Sequence, residues 1–156
     1  MLSATQKHKY LGRTFTGEAR TRGKTVVGHR FSCGWMKFKA FQSVLENKHI
    51  SIKLRLKLFE AIISSTVLYG LDTCPLTEKI QSRLDVVQRT MLRKMIGWVN
   101  SSEDSWEAIG RKMKERLRRC LEIYPIADWS ETIRRRKEKT QSNVNVMPYW
   151  TKSACE

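Results

Sequence analysis

The chain has 156 residues, 40% of them apolar, with 30 Lys and Arg against 15 Asp and Glu and a formal net charge of +15. That length and apolar content suit one domain with a buried core and exclude compositional disorder over most of the chain. The positive surplus is present in every third of the sequence. It points to a polyanionic partner, nucleic acid first and an anionic membrane surface second, with a basic surface that serves only solubility as the plainer alternative.

Cys33, Cys74, Cys120 and Cys155 are far apart and form no C-x-x-C pair. The spacing argues against a zinc site or disulfide framework and for reduced intracellular thiols. "MLSATQKHKYLG" has no apolar signal-peptide core, and no apolar run reaches transmembrane length. The expectation is an intracellular protein without a membrane span, in nucleus or cytoplasm alike.

In chain order, two β-type runs come first, Tyr10 to Thr16 and Thr25 to Val27, around a Gly/Arg-rich turn that suggests a hairpin. From about Val27 the pattern turns helical: Val27, Phe31, Trp35, Phe38, Phe41 and Leu45 recur at three- and four-residue steps. "SIKLRLKLF" alternates like a strand, but its continuation "EAIISSTVLYG" would make a strand of excessive length, whereas a helix of about 30 Å is ordinary. The reading is a helix from Ser51, its N-cap, to Gly70, its stop, with one wet stripe of Lys53, Lys57, Glu60 and Ser64 and a central place in the bundle.

Thr77 is placed to cap the next helix, with Ile80, Leu84, Val87, Met91 and Met95 on its buried face and Gly97 at its end. Lys79, Arg83, Arg93 and Lys94 fall opposite, so "YGLDTCPLT" reads as a corner between two nearly antiparallel helices. A fourth helix sets Trp106, Ile109, Met113, Leu117, Cys120 and Tyr124 inward and Arg111, Lys112, Lys114, Arg116, Arg118 and Arg119 outward. After Pro125, "DWSETIRRRKEK" suits a short basic helix, followed from Thr140 by a mobile tail. The expected core joins Phe31, Trp35, Leu45, Phe59, Ile63, Leu84, Met91 and Met95.

Catalytic chemistry is hard to place. Metal-dependent phosphoryl transfer needs carboxylates gathered around divalent ions, and the only close pair, Glu103-Asp104, suits a helix start. His8, His29 and His49 are scattered, and none of the phosphate-loop, zincin or hydrolase motifs occurs. No metal or cofactor site is expected. What remains is basic helix faces backed by apolar ones, suited to phosphates rather than base edges. Phe31, Trp35, Phe38, Phe41 and Trp106 lie on inner faces and read as core rather than stacking platforms.

The stretches "HKYLGRTFT", "HRF", "ISIKLRLKLFEA", "LYGLDTCPLT" and "RLDVVQRTMLRKMIGW", in that order, resemble the region after the catalytic palm in LINE-type, non-LTR retrotransposon reverse transcriptases. The matching positions are Lys9, Tyr10, Leu11 and Gly12; Leu68, Tyr69, Gly70, Thr73 and Leu76; then Gln88, Arg89, Leu92, Arg93, Ile96 and Gly97. The resemblance covers roughly residues 7–98. Asp72 and Cys74 stand where the family has Glu and Trp.

It implies a mainly α fold, a small thumb-like helical bundle preceded by a short β-hairpin. The implied divisions are a palm-end hairpin remnant over 1–28, the thumb over 29–100 and a basic helical extension with a mobile tail over 101–156. The family's polymerase carboxylates lie upstream of the K-Y-L-G strand, so the chain resembles a truncated product without catalytic residues of its own. The implied partners are the missing palm and a template–primer duplex or RNA–DNA hybrid gripped through its phosphates. Lys79, Arg83, Arg93, Lys94, Arg111, Arg118 and Arg119 are the candidate phosphate contacts. Tyr10, Leu11 and Gly12 carry over as a primer-grip-like element, with strand packing and a bend as the plainer reading of Leu11 and Gly12. Two other readings stay open: an unrelated basic helical nucleic-acid-binding module of ribosomal or chromatin type, and an amphipathic protein that binds a partner or a membrane surface.

Overall fold

Residues recurring at helical spacing do form helices. The computed structural model describes residues 8–10, 13–15, 19–97 and 105–146, and the fold is mainly α. Helix α1 (Ala19–Ala40) buries Val26, Val27, Phe31 and Phe38, with Trp35 half-buried at the edge. It starts well before Val27, so the run Thr25 to Val27 is helical and does not pair with Tyr10 to Thr16. Val26 and Val27 are each 3% exposed, and burying both in the core outweighs the strand preference of β-branched residues. The strands that pair are β1 (His8–Tyr10) and β2 (Arg13–Phe15), antiparallel, with His8 opposite Phe15 and Tyr10 opposite Arg13.

The chain turns at Phe41 into the short α2 (Gln42–Leu45), which buries Leu45. "SIKLRLKLF" is helical. The Ser51 hydroxyl accepts from the Leu54 amide at 3.4 Å and starts α3 (Ile52–Leu58), which continues through a π-helical turn (Phe59–Ser64) into α4 (Ser65–Leu68). A π turn inserts one residue and rotates the rest of the rod by about 100° relative to an unbroken α-helix. The expected wet stripe is therefore broken: Ser64 is buried and Ser65 takes the outward position. Where α1 crosses α4, a Cβ on Gly34 would come within 2.4 Å of Val67 Cγ2, so the contact requires glycine.

The rod's inner side also carries a buried cation. Arg55 is 8% exposed. Its Nε donates to the Ile50 carbonyl at 3.1 Å, and its Nη1 donates to Leu45 at 3.1 Å and to Met95 at 3.0 Å. Met95 belongs to α5 (Glu78–Ile96), so Arg55 joins the start of the rod to the end of α5, and the two run antiparallel on either side of the corner. The corner itself closes through Leu71 N to Leu68 O and Cys74 N to Leu71 O, both at 3.2 Å, with Leu71 and Cys74 buried. Gly70 adopts φ 68°, the left-handed geometry a Cβ disfavours. Thr77 occupies the N-cap of α5, but its hydroxyl makes no capping bond.

Helix α6 (Trp106–Ile123) starts at Ser105, whose hydroxyl accepts from Ala108 N at 3.3 Å, and it buries Ile109, Met113 and Leu117. Trp106 does not join them. At the first helical position it is 80% exposed, and α6 meets the core only from Ile109 onward. Helix α7 (Trp129–Val146) is longer than expected and runs through the segment after Thr140 assigned to a tail; residues 147–156 lie outside the described ones. Its Trp129 and Ile133 are buried, and one cluster holds Val27, Phe59, Leu84, Leu117 and Trp129 together. The core therefore spans both boundaries expected at 28 and 100. Among the described residues, no helix is long and apolar enough to cross a membrane.

Candidate nucleic-acid interface

Helix α5 buries Ile80, Leu84, Gln88, Met91, Leu92 and Met95. A helix turns 100° per residue, so Lys79, Arg83 and Lys94 lie within about 60° of one another over about 22 Å of its length. All three are exposed. Val86 and Thr90 occupy the positions between them, with no acid in the row. Arg83 places its guanidinium 5.8 Å from the centre of the Phe31 ring. Phe31 is thus core, as expected, with a cation over its outer face.

Arg93 is only half-buried and faces a different hollow of about 410 Å³, which it lines with Lys94, Thr90, Gly97 and Glu46. Its Nε and one carboxylate oxygen of Glu46 are both buried without hydrogen-bond partners. Arg93 and Lys94 therefore share their hollow with an acid, which Lys79 and Arg83 lack in theirs.

The candidates on α6 are in a different electrostatic state. Glu115 accepts from Arg118 at 2.9 and 3.0 Å and from Arg119 Nε at 3.0 Å, while Arg118 also pairs with Glu122. Hydrogen bonds from Arg118 and then Arg119 lower the Glu115 carboxyl from 4.5 to about 2, and the same contact raises Arg118 further. The arginines are exposed and Glu115 partly so, which makes the pairs ordinary i,i+3 and i,i+4 surface contacts of small stabilising effect. Their consequence is for binding: two of the expected phosphate contacts already have a carboxylate. Arg119 and Glu115, with Arg111, Lys112 and Arg116, border a shallow hollow on α6 that includes no α5 residue. The structure thus separates the seven candidates into a row on α5, a hollow at its end and a partly neutralised face on α6.

Of the primer-grip-like residues, Tyr10 ends β1, while Leu11 and Gly12 lie outside the described residues, as does the pair Glu103-Asp104. Among the described residues, no three His, Cys, Asp or Glu side chains gather as metal ligands would. Cys33 Sγ lies 3.7 Å from His29 Nε2 on the next turn of α1, and burial raises the Cys120 thiol.

Sequence reasoning missed the residues that hold α7 in place. Gln88 donates to Ala127 O at 3.0 Å and accepts from Trp129 N at 2.9 Å. Asp85 accepts from Ser130 N at 2.9 Å and from Ser130 Oγ at 2.6 Å, and Arg89 pairs with Asp128 at 3.2 Å. The one available signal was Gln88 itself, a polar residue on the apolar side of α5. Lys24 was missed because the run around it read as a turn and strand; in α1 it stands across a recess from Lys79 and Arg83. Compared with models of protein families, with curated proteins and with solved structures, the chain finds no match.

Proposed function

We propose that this chain is a thumb-like module of a LINE-type reverse transcriptase, one that holds a template–primer duplex by its phosphates and does not polymerise on its own. The observation that carries this reading is the row Lys79, Arg83 and Lys94, exposed along α5 on the side opposite its buried face and without an intervening acid. Such a row attracts a phosphate backbone and reads no base edges. The ordered sequence matches support the family, and the antiparallel helices around a Gly70 corner are compatible with it. Lys79, Arg83 and Lys94 make the main contacts on this reading. Arg93 contributes at the edge, Arg118 and Arg119 contribute less because Glu115 competes with the phosphates, and Arg111 lies beside them on α6.

The test is equilibrium binding of the purified chain to unrelated duplexes of one length, as DNA and as RNA–DNA hybrid. Affinities within a few-fold across sequences are expected, with background primer extension in Mg²⁺. Strong preference for one sequence would favour the unrelated nucleic-acid-binding module. Binding to anionic vesicles but not to duplexes would favour the membrane-surface reading.

A further inference from the structure

We propose that the recess between α1 and the start of α5 binds the terminal phosphate of a nucleic-acid strand. The inference rests on the nucleic-acid reading above and adds a defined subsite to it. The recess measures about 130 Å³, with Lys24 on the α1 side, Lys79 and Arg83 on the α5 side, Phe31 and Ile80 among its apolar residues, and no acid in its lining. The three cations are exposed, so none gives up a buried partner on meeting a ligand.

Three further features suit a phosphate. Thr77 at the N-cap makes no side-chain capping bond, and with Ile80 N taken by the Thr77 carbonyl this leaves its hydroxyl and the Glu78 and Lys79 amides for a ligand where the helix dipole favours an anion. The Arg83 guanidinium lies over the Phe31 ring and is steadied there rather than free in solvent. The walls are set by contact: a Cβ on Gly23 would come within 2.8 Å of Pro75 O, so α1 meets the corner with no space to spare.

Charge and shape then choose the end of a strand over its middle. An internal diester brings one negative charge, whereas a terminal monoester carries about 1.5 to 2 at neutral pH and offers three strong acceptor oxygens. Three cations without an acid match the second better. A recess between two helices admits a group that enters from one side, and an internal phosphate has chain on both. From the recess the α5 row continues through Arg83 to Lys94, which gives the rest of the strand a track and favours a nucleic-acid end over free phosphate.

The experiment measures binding of the full chain to one duplex in three forms, with a 5′-phosphate, a 3′-phosphate or hydroxyl ends only, by fluorescence anisotropy. One phosphorylated form should bind about tenfold tighter than the hydroxyl form, the effect of about one charge-assisted hydrogen bond, and the two arms identify which end. Lys24→Gln, on the α1 side and outside the α5 row, should remove most of the preference while leaving salt-dependent binding in place. Gly28→Glu is a second variant, since nothing lies within 4 Å of a Cβ there. It puts an acid on the rim and should reverse the preference. Equal affinity for all three forms, with salt-dependent binding intact, would overturn the subsite alone. Absence of binding to any form would overturn the reading beneath it as well.

Discussion

The indole nitrogen of Trp129 donates to the Ser64 hydroxyl at 2.9 Å, and the Trp129 ring lies parallel to Phe59 with centroids 6.2 Å apart. The relationship depends on the π turn, which brings Ser64 to the interior face, and it makes α7 part of the core. Trp129→Ala should cost about 3–5 kcal/mol in urea denaturation. Ser64→Ala, which leaves the indole N–H buried and unpaired, should cost about 1–3 kcal/mol. A loss below about 1 kcal/mol for Trp129→Ala would mean that α7 is not docked as described.

How much of this was legible in the sequence depended on period. Helix α5 keeps a regular apolar repeat from Ile80 to Met95, and the repeat located both its buried face and its cationic one. Ser64 and Trp129 could not be read in the same way, because the π turn shifts register without leaving a residue signature. Trp106 and Trp129 are equally apolar, and only the packing of their helices decides which is inside. The valines before Gly28 look like strand by local preference, and their burial in α1 is a tertiary effect. The candidate site was half legible. Repeat spacing gave the cations of α5, but the pairing of Arg118 and Arg119 to Glu115 depends on side-chain geometry, and Lys24 depends on how α1 crosses α5.

Two glycines of α1 should respond in opposite directions. Gly34→Ala forces a methyl against Val67 and should destabilise by about 1–3 kcal/mol. Gly28→Ala meets nothing within 4 Å and should stabilise by about 0.5–1 kcal/mol, the helix-propensity gain alone. Midpoints of thermal unfolding check both, and a stabilising Gly34→Ala would show that α1 and α4 are further apart.

Arg55 joins three carbonyls from separate segments and has no carboxylate among the bonds that hold it. Arg55→Met should therefore cost about 3 kcal/mol or more, since the carbonyls of Leu45 and Met95 lose a charged donor in a buried place. Arg55→Lys should recover only part, because an ammonium cannot reproduce the planar fork. Urea unfolding of the two variants gives the order, and equal stability of Met and Arg would contradict this role.

Glu115 offers a test by pH. Its folded-state carboxyl is lowered to about 2, so its contribution is present above the ordinary value of 4.5 and is lost as pH falls through about 2. The lowered Glu131, held by Arg135 and then Arg134 on α7, acts in the same direction. Helix content followed by circular dichroism should fall within that acid window, and less of the loss should depend on pH in Glu115→Gln. At neutral pH the same variant releases Arg118 and Arg119. Duplex affinity should then rise, with the salt slope steeper by up to about 0.9 per arginine. An unchanged slope would place α6 outside the interface.

The most direct test of the central claim is the dependence of duplex affinity on salt. If the α5 row holds phosphates, log affinity should fall linearly with log salt, with a slope of about 0.9 per phosphate neutralised. Four contacts would lower affinity by about two orders of magnitude between about 50 and 200 mM salt. Lys79→Gln with Lys94→Gln, both at exposed positions, should leave the fold intact, flatten the slope by nearly two, and weaken all sequences alike. Binding that does not change with salt, or a double variant that keeps the full slope, would contradict a phosphate grip along α5.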